Sequence, residues 1–111
     1  MNRVTAEKLS ELVDAMVREV SPEKIILFGS RARGEAVAES DIDLLIVDTR
    51  TFGPEHSRWK EMAKLWDLAA RFRMPVDILL YSRDEMDKWR DSRNHVIGRA
   101  TREGRLLYER P

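Results

Sequence analysis

Residues 24–47 read KIILFGSRARGEAVAESDIDLLIV, and this stretch decides the fold of the chain. Lys24 to Phe28 is an isoleucine-rich run that predicts a buried strand, which ends at Gly29-Ser30. Asp41 to Val47 carries apolar residues on both faces, as expected of a strand that is covered on both sides. The stretch therefore predicts two buried strands, with a small-residue turn after the first and acidic residues at the start of the second.

The flanking sequence alternates between helical and strand patterns. The predicted helices cover residues 6–20, 59–74 and 83–103, the further strands cover 76–81 and 105–109, and residues 30–35 form one short helical turn. Thr5 is the expected cap of the first helix and Ser82 that of the last, which Gly104 ends. This alternation predicts a single α/β domain over residues 1–111, with a sheet of three or four strands flanked by helices.

The bulk composition limits the classes of function. The chain has 111 residues, 42% of them hydrophobic and 36% charged, and its 20 basic residues balance 20 acidic ones. A net charge of zero gives no strong signal for nucleic acid or an anionic membrane. The absence of cysteine excludes disulfides and thiolate chemistry, and no apolar run is long enough to span a bilayer. With no signal-peptide core, we expect a cytoplasmic protein.

Three acidic residues are candidates for a metal site. Asp41 and Asp43 alternate with Ile42, so both leave one face of the strand, ~7 Å apart along it. Such carboxylates repel each other unless a cation lies between them, and magnesium suits oxygen ligands of this kind. Asp77 begins a separate apolar run and could supply a third ligand. Two metal ions ~4 Å apart would stabilise the attacking and leaving oxygens of an in-line displacement.

A structural role for the same acids is the alternative. Asp41 and Asp77 could cap turns, as aspartate often does. Asp43 fits that alternative less well, because strands disfavour aspartate and its neighbours are apolar.

Gly29-Ser30 is a candidate phosphate-binding turn. Glycine lets the backbone approach a phosphate closely, and N–H groups at the start of a helix point toward anions. Arg31 and Arg33 could balance the charge of a triphosphate. The segment has neither the Gly-Lys-Ser/Thr of a Walker A loop nor the three glycines of a dinucleotide site. An ordinary strand-to-helix turn with a serine cap is the alternative.

Other residues carry weaker signals. Trp59, Trp66 and Trp89 fall on apolar stripes and are expected in the core. His56 and His95 stand at no recognisable ligand spacing, which favours surface or capping roles. A mildly basic C-terminal region is expected to be a solvated helix face; it comprises Arg93, Arg99, Arg102 and Arg105.

The motif residues resemble a known family. Gly29 to Gly34 (GSRARG), followed by Ser40 to Val47 (SDIDLLIV), resembles the polymerase-β-type nucleotidyltransferase superfamily. The likeness is greatest to its minimal nucleotidyltransferases, the MNT antitoxins of HEPN/MNT toxin–antitoxin pairs. The Gly-Ser, ten-residue gap and Asp-x-Asp pattern is matched without an insertion, and Asp77 falls where the third acid is expected.

The resemblance implies a mixed sheet flanked by helices, with ATP and magnesium bound at the edge of the sheet. By family role, Gly29 and Ser30 would hold the triphosphate, and Arg33 would contact phosphate or partner. Asp41 and Asp43 would bind magnesium, and Asp77 would assist the attacking hydroxyl. The implied reaction transfers AMP from ATP to a tyrosine of a HEPN RNase toxin, with which the chain would form a hetero-oligomer.

Three hypotheses remain open at this level. The first is an active protein adenylyltransferase that serves as an antitoxin; a chain of this length has no evident acceptor domain, which favours a separate protein acceptor. The second is a binding module that neutralises a toxin by masking it. The third is a small-molecule nucleotidyltransferase of the antibiotic-modifying type, which ranks last because such enzymes normally carry an additional helical domain.

Overall fold

The computed structural model describes residues 3–29 and 42–111, and the side chains of residues 6–29 and 42–111. The elements in chain order are α1 (Arg3–Val20), β1 (Lys24–Phe28), β2 (Ile42–Asp48), α2 (Arg58–Arg71), β3 (Val76–Ser82), α3 (Arg83–Trp89), α4 (Val96–Glu103) and β4 (Arg105–Glu109). Ser30, Arg33 and Asp41 lie outside the described residues, as does the short helical turn predicted at 30–35.

The four strands form one mixed sheet in the order β3-β2-β1-β4. β1 pairs antiparallel with both β2 and β4, whereas β2 and β3 run parallel. A parallel pair needs a crossover connection, and α2 supplies it between β2 and β3. The predicted helix-flanked mixed sheet is confirmed, and 105–109 is its edge strand.

Two apolar layers cover the two faces of the sheet. Alternate residues of β1 and β2, such as Leu27 and Leu44, pack with α1 and α2 in the larger layer. The intervening residues, such as Ile26 and Leu45, pack with Ile97 of α4 in the smaller layer. Because strand side chains alternate between faces, a residue's place in the strand fixes which helices it meets.

The N-terminus of α3 carries the predicted cap. The Ser82 hydroxyl accepts from the Glu85 backbone N–H while the Glu85 carboxylate accepts from the Ser82 N–H. Arg58 also stabilises this helix start, because it donates hydrogen bonds to the Glu85 carboxylate at 2.8 Å and to the Leu80 carbonyl at 2.6 Å. Partial burial raises the pKa of Glu85, but the hydrogen bonds and charge of Arg58 and the bonds to Ser82 outweigh it, so the pKa lies below its usual value.

The C-terminal helical region differs from the prediction of one helix over 83–103. The chain leaves the helix after Trp89 and begins α4 at Val96, where the His95 ring accepts from the Ile97 N–H. Gly98 packs against the intervening turn so closely that a Cβ there would lie 1.8 Å from the Ser92 carbonyl oxygen. Polar residues 91–94 favour such a turn over a continued apolar stripe.

The predictions for the helix ends and the two histidines are partly confirmed and partly wrong. His95 caps a helix as expected, and Gly104 ends α4. Thr5 does not cap α1, because that helix already begins at Arg3. His56 is neither a surface residue nor a helix cap: its Nε2 lies 2.7 Å from an Asp48 oxygen in a largely buried cluster.

The tryptophans are not core residues. Trp59 is 74% exposed, Trp66 46% and Trp89 37%. In α2 the buried side belongs instead to Leu65 and Leu68. The prediction assumed that the side of α2 with the largest apolar residues meets the sheet, but the side with the leucines does.

Candidate active site

Two of the predicted acids face each other across neighbouring strands. β2 and β3 pair so that Asp43 lies directly opposite Asp77, as Ile42 does opposite Val76. Adjacent strands are ~4.8 Å apart, and paired residues of a parallel ladder point to the same face. Leu45, two residues after Asp43, belongs to the α4-side layer, so both carboxylates lie on that face. Asp43 is partly buried, whereas Asp77 is exposed on the outer strand β3.

The turn after β1 lies against the first of these carboxylates. Phe28, the last residue of β1, is the antiparallel partner of Asp43. Gly29 follows with φ +76°, a left-handed conformation that favours glycine. A Cβ at Gly29 would stand 2.4 Å from Asp43 Oδ2. The backbone conformation therefore favours glycine here, and any larger residue would displace the Asp43 carboxylate.

The predicted site residues thus divide into two sets. The structure brings Gly29, Asp43 and Asp77 together at one end of the β1-β2-β3 ladder. Ser30, Arg33 and Asp41 lie outside the described residues, so the predicted three-acid cluster is represented by two members. Within residues 3–29 and 42–111, no group of three or more His, Cys, Asp or Glu side chains is placed to hold a metal ion.

A cavity of about 170 Å³ adjoins the Gly29 turn. It is lined by Phe28, Gly29, Val96, Arg99, Ala100 and Glu103. Ala100 belongs to the α4-side layer, so this cavity lies on the face of the sheet to which Asp43 and Asp77 point. α4 thus forms a wall facing the turn, and the exposed Arg99 brings a cation to it.

Arg99 is not among the site residues predicted from the sequence, because its pattern indicates one of several arginines on a solvated helix face. The spacing of residues 96, 99, 100 and 103 places them on one side of a helix, which is the available signal. The spacing does not show which element lies opposite that side. In the structure α4 packs over β1, so Arg99 and Gly29 line the same cavity.

A second polar cluster lies at the opposite end of β2. Asp48, the last residue of β2, is 6% exposed, and Glu61 of α2 is 7% exposed. His56 lies between them, 2.7 Å from Asp48 and 4.0 Å from Glu61, and its ring stacks on Phe52. The Arg50 backbone N–H also donates to Asp48, at 2.8 Å. These contacts tie the β2–α2 connection to the sheet and leave the Gly29 end separate.

Comparison with known proteins identifies the family. The family model described as "Polymerase beta, Nucleotidyltransferase" matches residues 10–111. The chain belongs to this family. A relative from Methanocaldococcus jannaschii, provisionally named a protein adenylyltransferase, is 40% identical over 58 residues, which are 52% of this chain and 54% of that protein. The match thus spans about half the length of that family relative.

Solved structures share the fold. One described provisionally as a minimal nucleotidyltransferase superimposes with a TM-score of 0.62 at 25% identity, over 96% of this chain and 97% of that one. A chain from a complex of tri-AMPylated HEPN toxin with MNT antitoxin of Shewanella oneidensis gives 0.52 at 20%, over 99% and 74%. A chain from a toxin–antitoxin crystal with AMP-PNP gives 0.56 at 23%, over 91% and 73%. The last two likenesses establish the polymerase-β-like nucleotidyltransferase fold alone.

Among the helices in the described part of the chain, none is both long and apolar enough to cross a bilayer.

Proposed function

We propose that this chain transfers AMP from ATP to a hydroxyl group of a partner protein, with residues 1–111 acting as one nucleotidyltransferase domain. The observation that carries the proposal is the opposition of Asp43 and Asp77, with the Gly29 turn against Asp43. Family membership supports nucleotidyl transfer as the reaction class. The provisional name of the M. jannaschii relative supports protein as the acceptor.

The acidic pair fits a divalent cation. Two carboxylates on one face, about one strand spacing (~4.8 Å) apart, form the hard oxygen donor set that Mg²⁺ prefers. Asp43 and Asp77 would hold magnesium together with Asp41, in a site for two ions. When bound, the metal would neutralise charge on the phosphate oxygens of an in-line displacement.

The chain's own residues account for binding and proton transfer. The Gly29 turn admits a phosphate close to the backbone, and Arg99 of α4 lines the cavity beside that turn. Ser30 and Arg33 are the further proposed phosphate contacts. Asp77, exposed on the outer strand β3, is accessible to an acceptor that arrives from outside.

The transfer is a single displacement at the α-phosphorus of ATP. The acceptor oxygen forms a bond to that phosphorus as its proton passes to the Asp77 carboxylate. The bond from the α-phosphorus to the bridging oxygen breaks, and pyrophosphate leaves. The products are the AMP-modified protein and pyrophosphate.

A HEPN-type RNase toxin is the proposed partner and a tyrosine its proposed acceptor, within a cytoplasmic hetero-oligomer. The support is the fold shared with chains from the S. oneidensis HEPN–MNT complex and from the toxin–antitoxin crystal with AMP-PNP. In this proposal AMP transfer silences the toxin.

The position of the label in ATP tests the reaction class. The chain is incubated with a HEPN-type toxin and with ATP labelled in either the α- or the γ-phosphate. We expect label on the toxin from the α-phosphate only, with release of pyrophosphate. Label from the γ-phosphate would indicate phosphoryl transfer, and no label from either would refute the proposal.

Masking is distinguished by a separate measurement on cells. The Asp41/Asp43 double variant is expected to bind the toxin yet fail to protect cells from it. Equal protection by this variant and the unaltered chain would favour neutralisation by binding alone.

A further inference from the structure

The helix α2 carries an exposed apolar stripe, whose two tryptophans also border a groove along strand β3. Trp59, Ala63, Trp66 and Ala70 follow one another at spacings of four, three and four residues, which align them on one side of a helix. All four are exposed. The two indole rings lie 5.9 Å apart, so they form one continuous surface. We call these four residues the outer face of α2.

The opposite side of α2 is already buried against the core. Leu65 and Leu68 point into the core at 0% and 8% exposure, whereas Trp59 keeps 74% of its surface accessible. An amphipathic surface helix normally presents polar residues to water. A helix that is apolar on two sides indicates a second packing partner.

From this face we propose that α2 pairs with α2 of a second copy of this chain, antiparallel about a two-fold axis. In that arrangement the axis passes between Ala63 and Trp66. Trp59 of one copy then meets Ala70 of the other, and Ala63 meets Trp66. Each large residue opposes a small one, which lets two helices approach closely and interdigitate.

Charges beside the outer face are complementary under the same two-fold axis. Lys60 and Asp67 flank the tryptophans along one side of the stripe, seven residues apart, and both are exposed. Antiparallel pairing sets Lys60 of each copy beside Asp67 of the other, which makes two opposite-charge pairs. Asp67 already forms an exposed ion pair with Arg71 of its own helix at 2.7 Å, and its two carboxylate oxygens can accept from both cations. Lys64 is paired within its helix with Glu61 at 3.4 Å. Size and charge thus both favour a second copy as the occupant.

The area involved indicates a weak dimer. At their exposures, the two tryptophans offer about 300 Å² per copy, given about 150–250 Å² for a buried aromatic side chain. A stable interface commonly buries ~800 Å² per partner, so we expect a dissociation constant on the order of 100 µM. This association does not depend on the proposed AMP transfer.

Sedimentation velocity of the full chain from about 5 to about 500 µM tests the pairing. Ala63→Trp would oppose tryptophan to tryptophan and is expected to leave a monomer across the range. Ala6→Trp on α1 is the matched control, because Ala6 is also an exposed helical alanine but lies off the outer face. It should dimerise like the unaltered chain. A monomer at every concentration, or equal dimerisation of both variants, would overturn the proposal.

A charge-swap experiment tests the antiparallel register. Lys60→Asp and Asp67→Lys each place like charges together in their own homodimer and should weaken self-association about tenfold. Mixed in equal amounts, the two variants restore both opposite-charge pairs and should form a heterodimer with near-original affinity. No gain on mixing would refute this register. Protection of the tryptophans only when a toxin is added would assign the face to that partner and overturn the self-pairing.

Discussion

Replacing Gly29 by alanine probes the contact between the turn and the acidic pair. Two separate costs arise from the structure. The left-handed φ of +76° costs a residue with a side chain about 1–2 kcal/mol. The new Cβ, 2.4 Å from Asp43 Oδ2, forces this partly buried carboxylate to turn away, which costs about 0.5–1.5 kcal/mol because only the end of a side chain has to move. We expect Gly29→Ala to lower the free energy of unfolding by about 2.5 kcal/mol in total.

A double-mutant cycle separates the two costs. In an Asp43→Ala background the carboxylate is gone, so Gly29→Ala should cost only the conformational part, about 1.5 kcal/mol. Urea denaturation of the four proteins measures both values. Gly53→Ala is the matched control, because a Cβ there meets nothing within 4 Å and the change should cost under about 0.5 kcal/mol.

The same variant reports on the proposed function. A carboxylate moved by ~1 Å should slow AMP transfer about 100-fold, while Gly53→Ala should leave the rate unchanged. Equal costs of Gly29→Ala in the two backgrounds would refute the contact with Asp43. A full rate of transfer in Gly29→Ala would refute the need for that carboxylate's position.

Three further predictions concern the His56 cluster, the Glu85 cap and the α4 wall. His56→Ala should lower the free energy of unfolding by about 2 kcal/mol, because it leaves the buried Asp48 carboxylate without its 2.7 Å partner; a urea-measured cost below about 0.5 kcal/mol would contradict this. The lowered pKa of Glu85 gives stability that is fully present above its unfolded value of about 4.3 and is lost as the pH falls through the folded value. Glu85→Gln should therefore destabilise the protein more at pH 7 than at about pH 3, and an equal effect at both would count against the Arg58 pairing. Arg99→Ala should raise KM for ATP about tenfold with little change in kcat, which steady-state kinetics can check; a fall in kcat alone would place Arg99 elsewhere in the reaction.

Much of the fold follows from local patterns. The apolar run at 24–28 is a strand because its residues can be buried on both faces of a sheet, and the run at 76–81 is a strand because it can bury alternate residues on one face. Ser82 caps a helix because its hydroxyl and Glu85 complete each other's hydrogen bonds. Features of this kind depend on neighbours in sequence, so the sequence is enough to predict them.

Contacts between distant segments could not be predicted in the same way. The exposure of Trp59 depends on which side of α2 meets the sheet, and both sides of that helix are apolar. The break before Val96 depends on how Gly98 packs against Ser92. Each is decided by packing between elements, which outweighs local propensity.

The candidate site likewise combines residues that the local sequence predicts with an arrangement that only tertiary packing provides. The motif predicts Gly29, Asp43 and Asp77 as a set, but the strand register of β2 and β3 is what sets the two acids opposite each other. Arg99 joins the candidate site only through the packing of α4 over β1. Register and helix placement are tertiary properties, so a linear motif cannot provide them.

The central claim is that Asp43 serves nucleotidyl transfer rather than the fold. The most direct test is the rate at which label moves from α-phosphate-labelled ATP to a HEPN-type toxin, compared between Asp43→Asn and Asp87→Asn. Asp87 is an exposed acid of α3 that forms a 3.7 Å ion pair with Arg90 and does not line the cavity at the Gly29 turn. We expect Asp43→Asn to slow transfer by about 1,000-fold and Asp87→Asn to leave it unchanged. Transfer at the original rate by a folded Asp43→Asn protein would contradict the claim.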